Sequence, residues 1–142
     1  MNLFSILLLI NLVILFTTRQ PQELVDVKEK YQILRDHLKT TENEKFKMLI
    51  HPIPITGLKR MNGTVGYNVN KGADITICLD GDSNKIFHVL IHELAHSTVT
   101  EFSHSKNFWK NFVELRGICE SIGIYKRMPE RTKFCGQHIQ DK

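Results

Sequence analysis

The stretch IFHVLIHELAH, Ile86–His96, is the strongest constraint in the chain. Its apolar residues recur at helical spacing, so it reads as a buried helix running from about Lys85 to Thr98. Burying two histidines and a glutamate in such a helix without partners is costly. His92 and His96 stand four apart and therefore share one face. Two imidazoles stacked that way can grip one metal ion, and zinc suits imidazole nitrogen. Glu93 lies one residue round from His92, off the ligand face. From there it can reach a water in the ion's open coordination position. That geometry suits a general base, which takes a proton from the water as it attacks a carbonyl and returns it to the leaving amine.

A catalytic zinc site needs a third protein ligand. His104 follows eight residues after His96, ahead of Phe108, Trp109, Phe112, Val113 and Cys119. These share one stripe of a second helix expected from about Ser103, its N-cap, to Ile122, so His104 is expected to face inward beside the aromatic residues. Glu101, Glu114 and Glu120 are the carboxylate alternatives. Glu101 is separated from the pair by a turn of only five residues, and Glu114 flanks the solvated Lys110–Arg116 face. His104 is therefore the preferred ligand. His88, one turn before His92, is expected to line the pocket or support it rather than bind metal. His37, His51 and His138 carry no spacing signal, and Cys135-x-x-His138 is half of a zinc knuckle with no second half.

Upstream, PQELVDVKEKYQILRDHLKT has Leu24, Val27, Tyr31, Leu34 and Leu38 at spacings of three and four, an amphipathic helix opened by Pro21. FKMLI is a short strand or helical turn, and the prolines of HPIPITG exclude helix. TVGYNV and DITICL read as two strands joined at NKGA, where Asn70 and Gly72 supply turn conformations. Asp82 or Ser83 is placed to cap the motif helix. The basic end KRMPERTKFCGQHIQDK reads as a loosely held tail. The expected organisation is an apolar segment over 1–19, an α+β domain over 20–126 and a basic tail over 127–142.

The apolar run LFSILLLINLVILF, Leu3–Phe16, carries no charge. It lacks both the basic n-region and the small-residue cleavage site of a signal peptide, which favours an uncleaved membrane anchor over residues 3–18. Arg19, Lys28 and Lys30 follow it and favour a cytosolic domain. Three cysteines with no CxxC argue against a disulfide framework and lean toward a reducing compartment. A formal net charge of +4 permits contact with nucleic acid but contains no basic block that requires it.

HELAH followed by His104, Phe108-Trp109 and an amphipathic helix ending GIY resembles the WLM and SprT-like group of zincin metalloproteases. With YNVNKGADITICL leading into the motif helix and an apolar N-terminus, the chain is similar to the small WLM-type metallopeptidases of large DNA viruses of eukaryotes. The likeness covers roughly Tyr67 to Tyr125. It implies a minimal zincin-like fold: an N-terminal helix, a small sheet whose edge can pair with an extended peptide, and two metal-bearing helices. It also implies His92, His96 and His104 as zinc ligands and Glu93 as catalytic acid/base. Cellular relatives act on proteins cross-linked to DNA through additional binding segments, and none is recognisable here. The expected function is a membrane-tethered zinc endopeptidase acting on protein substrates. The alternatives are a zinc-held binding module without catalysis and a DNA-associated protease.

Overall fold

The structure is a computed structural model, and it describes residues 1–141. The order is α1 (Leu3–Thr17), α2 (Gln22–Thr40), a short 3-10 turn (Lys47–Leu49), β1 (Ile55–Leu58), β2 (Gly66–Val69), β3 (Asp74–Cys78), α3 (Ser83–His96), α4 (Lys106–Ser121), β4 (Thr132–Phe134) and β5 (Gln137–Ile139). This is the expected α+β class. α2 buries Leu24, Val27, Tyr31, Leu34 and Leu38, the stripe read from its periodicity. Tyr31 also accepts the Ile53 N–H at 3.1 Å, which fixes the proline-rich entry to β1.

β3 is the central strand, with β1 parallel on one side and β2 antiparallel on the other. Its Ile75, Thr76, Ile77 and Cys78 are buried, as a strand covered on both faces requires. α3 packs on this sheet close to β2. Gly66 permits that approach, since a Cβ there would lie 2.7 Å from the Val89 Cγ1. The β2–β3 turn places Asn70, Lys71 and Gly72 at positive φ, so Lys71 joins the two turn residues read from the sequence. Asp82 provides the N-cap of α3 by accepting from the Lys85 N–H.

Three expectations are corrected. The basic C-terminal segment is not a loose tail: β4 and β5 pair as an antiparallel hairpin, with Phe134, Ile139 and Asp141 buried. Gly81 seats it, because a Cβ there would lie 2.6 Å from the Phe134 ring. Lys142 lies outside the described residues. Secondly, Cys78 at the end of β3 and Cys135 in the hairpin turn form a disulfide, while Cys119 is free and buried. Cysteine parity and the lack of CxxC say nothing about two residues 57 apart that a strand end and a hairpin bring together. Thirdly, α4 begins later than expected, with Ser105 rather than Ser103 as N-cap.

α1 has no buried residue. Its 15 residues span about 22 Å, short of the ~30 Å hydrocarbon core. Among the described residues no single helix is long and apolar enough to cross a membrane. α1 and α2 pass together only as a pair bent by 60°, and α2 gives its apolar stripe to the domain core.

Candidate metal centre

His92 and His96 project from one face of α3, and the chain then folds back so that His104 meets them. His104 Nε2 lies 2.9 Å from the His92 Nε2 and 3.2 Å from the His96 Nε2. His104 is not the first residue of the aromatic stripe, as expected, but an exposed loop residue just ahead of the Ser105 cap. Ser105 Oγ accepts the Phe108 N–H and bonds the Glu101 carboxylate, which ends the loop there. The ring of Trp109 stacks on His104 at 5.7 Å, and Phe108 packs against all three imidazoles. Trp109 and Val113, also expected inside, remain 40% and 46% exposed.

The three rings fit a metal ion. Tetrahedral zinc at about 2.05 Å from each nitrogen would set the nitrogens about 3.3 Å apart. The two distances to His104 lie within a few tenths of an ångström of that spacing, and all three ligand atoms lie within 4.8 Å of one another. Without an ion, the His104 Nε2 faces two ring nitrogens at once, and one imidazole proton cannot serve both well. Burial, and then the neighbouring imidazoles, depress the His92 pKa to about 3. Burial, His104 and Lys71 depress that of His96 to about 4. Both rings are thus held in the neutral form that ligates metal.

Glu93 points into the same cavity, which holds about 500 Å³ between α3, β2, Trp109, Phe112 and the β5 end of the hairpin. Burial alone raises its pKa to about 7. The carboxylates weighed as third ligands are engaged elsewhere: Glu101 with Ser105, Glu114 with Lys45 and Glu120 with Arg127.

Two supporting residues gave no sequence signal beyond a turn. Asn68 on β2 donates to the Glu93 carbonyl oxygen at 2.8 Å and to the Ser97 Oγ at 2.7 Å, tying the edge strand to the motif helix. Lys71 donates to the carbonyl oxygens of His96, Val99 and Glu101 at 3.2, 2.8 and 2.6 Å. It neutralises the C-terminal end of α3 and folds the connector toward His104.

His88 lines the cavity, as expected, and is held from behind. Its Nδ1 lies 2.9 Å from the Tyr125 hydroxyl and 3.2 Å from the Asp141 Oδ1. Asp141 also accepts from Tyr125, from the Met128 N–H at 2.8 Å and from Arg116 at 3.2 Å. Burial alone would raise the Asp141 pKa, but its hydrogen bonds from His88, Met128 and Tyr125 outweigh burial and hold it well below the usual carboxylate range.

Residues 52–141, more than half of the chain, match the model of the WLM domain family. An uncharacterized protein of Acanthamoeba polyphaga mimivirus is 26% identical over 134 aligned residues, covering 81% of this chain and 68% of that one. Among solved structures, the metallopeptidase zymogen of Pyrococcus abyssi abylysin overlaps with a TM-score of 0.43 at 19% identity. That overlap covers 68% of this chain and 97% of the other.

Proposed function

The chain belongs to the WLM domain family, and on that basis we propose that it is a zinc-dependent metallopeptidase hydrolysing peptide bonds of protein substrates. The observation that carries the reading is the convergence of the His92, His96 and His104 Nε2 atoms beside the buried Glu93 in one open cavity. A zinc ion held by these three imidazoles supplies Lewis acidity toward the scissile carbonyl. Glu93 takes the proton of the attacking water at its carboxylate and delivers it to the leaving nitrogen. A carboxyl with a pKa near neutrality is suited to both halves of that cycle. β2 is an edge strand along the same cavity and offers backbone groups to an extended substrate. A zinc-held binding module would need the histidines but not a buried carboxylate beside them.

The test is cleavage of an unfolded protein by the purified chain, its loss on chelation and its return on adding zinc. A chain that binds one zinc and cuts nothing would favour the binding module.

The proposal includes attachment to a membrane through α1. In support, α1 is uncharged and has no buried residue. The full chain should float with phospholipid vesicles and a chain starting at Gln20 should not; equal behaviour of the two would rule attachment out. The Cys78–Cys135 disulfide speaks for a domain on an oxidising side of that membrane rather than the cytosolic side expected from charge. Asn62, exposed at the head of the Asn62-Gly63-Thr64 sequon, is the reporter, since glycosylation there requires lumenal exposure.

A further inference from the structure

The cavity is lined unevenly. From the β2 side come the polar side chains of Thr64, Asn68 and Lys71 and the free edge of the strand. The connector after α3 and the first turn of α4 contribute Phe102 and Trp109, which flank His104 in the chain. Both rings are open to water: Phe102 is 80% exposed and Trp109 40%. Single exposed apolar residues are ordinary on a protein surface. These two differ because each is held in place without being buried. The Lys71 ammonium lies 4.6 Å from the centre of the Phe102 ring. That ammonium is itself fixed by the carbonyl oxygens of His96, Val99 and Glu101, so the ring rests on an anchored cation. Trp109 is fixed by other rings. It stacks on His104 at 5.7 Å, meets Phe112 edge-on at 5.7 Å and meets Phe108 edge-on at 5.1 Å. An apolar surface ordered in advance loses little freedom when something covers it.

What covers it follows from the place of the two rings in the site. Successive residues of an extended chain are about 3.4 Å apart. A peptide carbonyl at the three imidazoles therefore brings the side chains on either side of it within reach of rings beside those imidazoles. An ammonium or guanidinium placed there would be repelled by Lys71. A carboxylate would have to compete for Lys71 with three carbonyl oxygens. A large apolar side chain meets neither penalty and removes the two rings from water.

We propose that Phe102 and Trp109 are specificity-determining residues, which receive a large apolar side chain of the substrate next to the scissile bond. The inference rests on the metallopeptidase reading for its substrate. The contact itself is readable without catalysis, because Trp109 is the single tryptophan of the chain. First, Trp109 emission is titrated in the zinc-loaded protein with N-acetyl-leucinamide and with N-acetyl-serinamide. The leucine amide should act at about tenfold lower concentration, the scale of partly burying one large apolar side chain. Phe102→Ser should bring the two amides close together, and Phe102→Leu should keep them apart. Val113→Ser removes an exposed apolar residue of α4 outside the cavity lining and should also keep them apart. Zinc content should stay at one per chain throughout, since the bonds of Lys71 to the connector do not involve the ring. Phe102→Gln, closer to the ring in bulk, takes the place of the serine variant if that one loses zinc. Secondly, cleavage sites in an unfolded protein are mapped, and peptides matched except for leucine, serine, glutamate or lysine beside the cut are compared. The leucine peptide should have a kcat/KM higher than the others by about 10–30-fold. Phe102→Ser should remove that advantage mainly through KM, as lost ground-state binding does. Equal action of the two amides, a preference that survives Phe102→Ser, or faster cutting of the glutamate or lysine peptide overturns the proposal. If the amides behave as expected and no peptide is cut, the metallopeptidase reading fails while the subsite stands.

Discussion

Lys71 and His96 are joined from opposite sides of the site: the Lys71 Nζ, carried on the β2–β3 turn, lies 3.2 Å from the carbonyl oxygen of the last histidine of α3. The same ammonium reaches Val99 and Glu101, so one side chain sets the path of the connector to His104. Lys71→Met keeps the length of the stem but cannot donate. Zinc affinity should fall by about 10–100-fold, the usual effect of losing a group that orients ligands, with the circular dichroism spectrum unchanged. Competition with a chromophoric chelator measures this, and unchanged affinity would show that the connector holds His104 without Lys71.

The third ligand is tested by comparison within the chain. His104→Ala should lower zinc affinity by orders of magnitude. Glu101→Ala, Glu114→Ala and Glu120→Ala should each retain one zinc, because those carboxylates bond Ser105, Lys45 and Arg127. Stoichiometric tight zinc in His104→Ala would reopen the glutamates.

How much of this site was legible beforehand follows from the range of the interactions. His92, Glu93 and His96 lie within one helix, and 3.6-residue periodicity alone puts them on their faces. The stripe of α2 was legible for the same reason. His104 was found as a residue but misplaced, because α4 starts from its N-cap Ser105, whose Oγ accepts the Phe108 N–H and also bonds Glu101, a detail of loop closure. Lys71, Asn68, Asp141 and the Cys78–Cys135 link act between segments far apart in sequence, where no local pattern marks them. The hairpin was missed because its strands are only three residues each, too short for alternation to show. Its burial depends on Phe134, Ile139 and Asp141 meeting distant partners.

The Asp141 network makes an acid-sensitive contribution. Its folded pKa lies below the unfolded value of about 3.9. The stability it adds is therefore fully present above about pH 4 and is lost as pH falls toward the folded value. Asp141→Asn removes the carboxylate that Tyr125, Arg116 and the Met128 N–H share and should cost about 1.5–3 kcal/mol at pH 7, the scale of a hydrogen bond to a charged group. Urea unfolding at pH 7, 5 and 3 should show the gap to wild type constant between the first two and shrinking at the third. A gap independent of pH would contradict the charge-based account.

The disulfide has a separate signature. Denaturation without reductant should expose one thiol, Cys119. Cys135→Ser should lower stability by about 2–4 kcal/mol, the usual range for a cross-link closing a long loop. Three reactive thiols in unreduced protein isolated under thiol-blocking conditions would show that the link does not form.

The central claim is that Glu93 moves the proton while the histidines hold the metal, and one variant separates the two. Glu93→Gln keeps the size of the side chain and its ability to hydrogen-bond but cannot accept the proton. The direct measurement is zinc content and cleavage rate of that variant beside wild type, on one unfolded protein substrate. The account predicts one zinc per chain in both and a rate lower by about 10²–10⁴-fold in the variant. Cleavage by Glu93→Gln as fast as by wild type, with zinc bound, would contradict it.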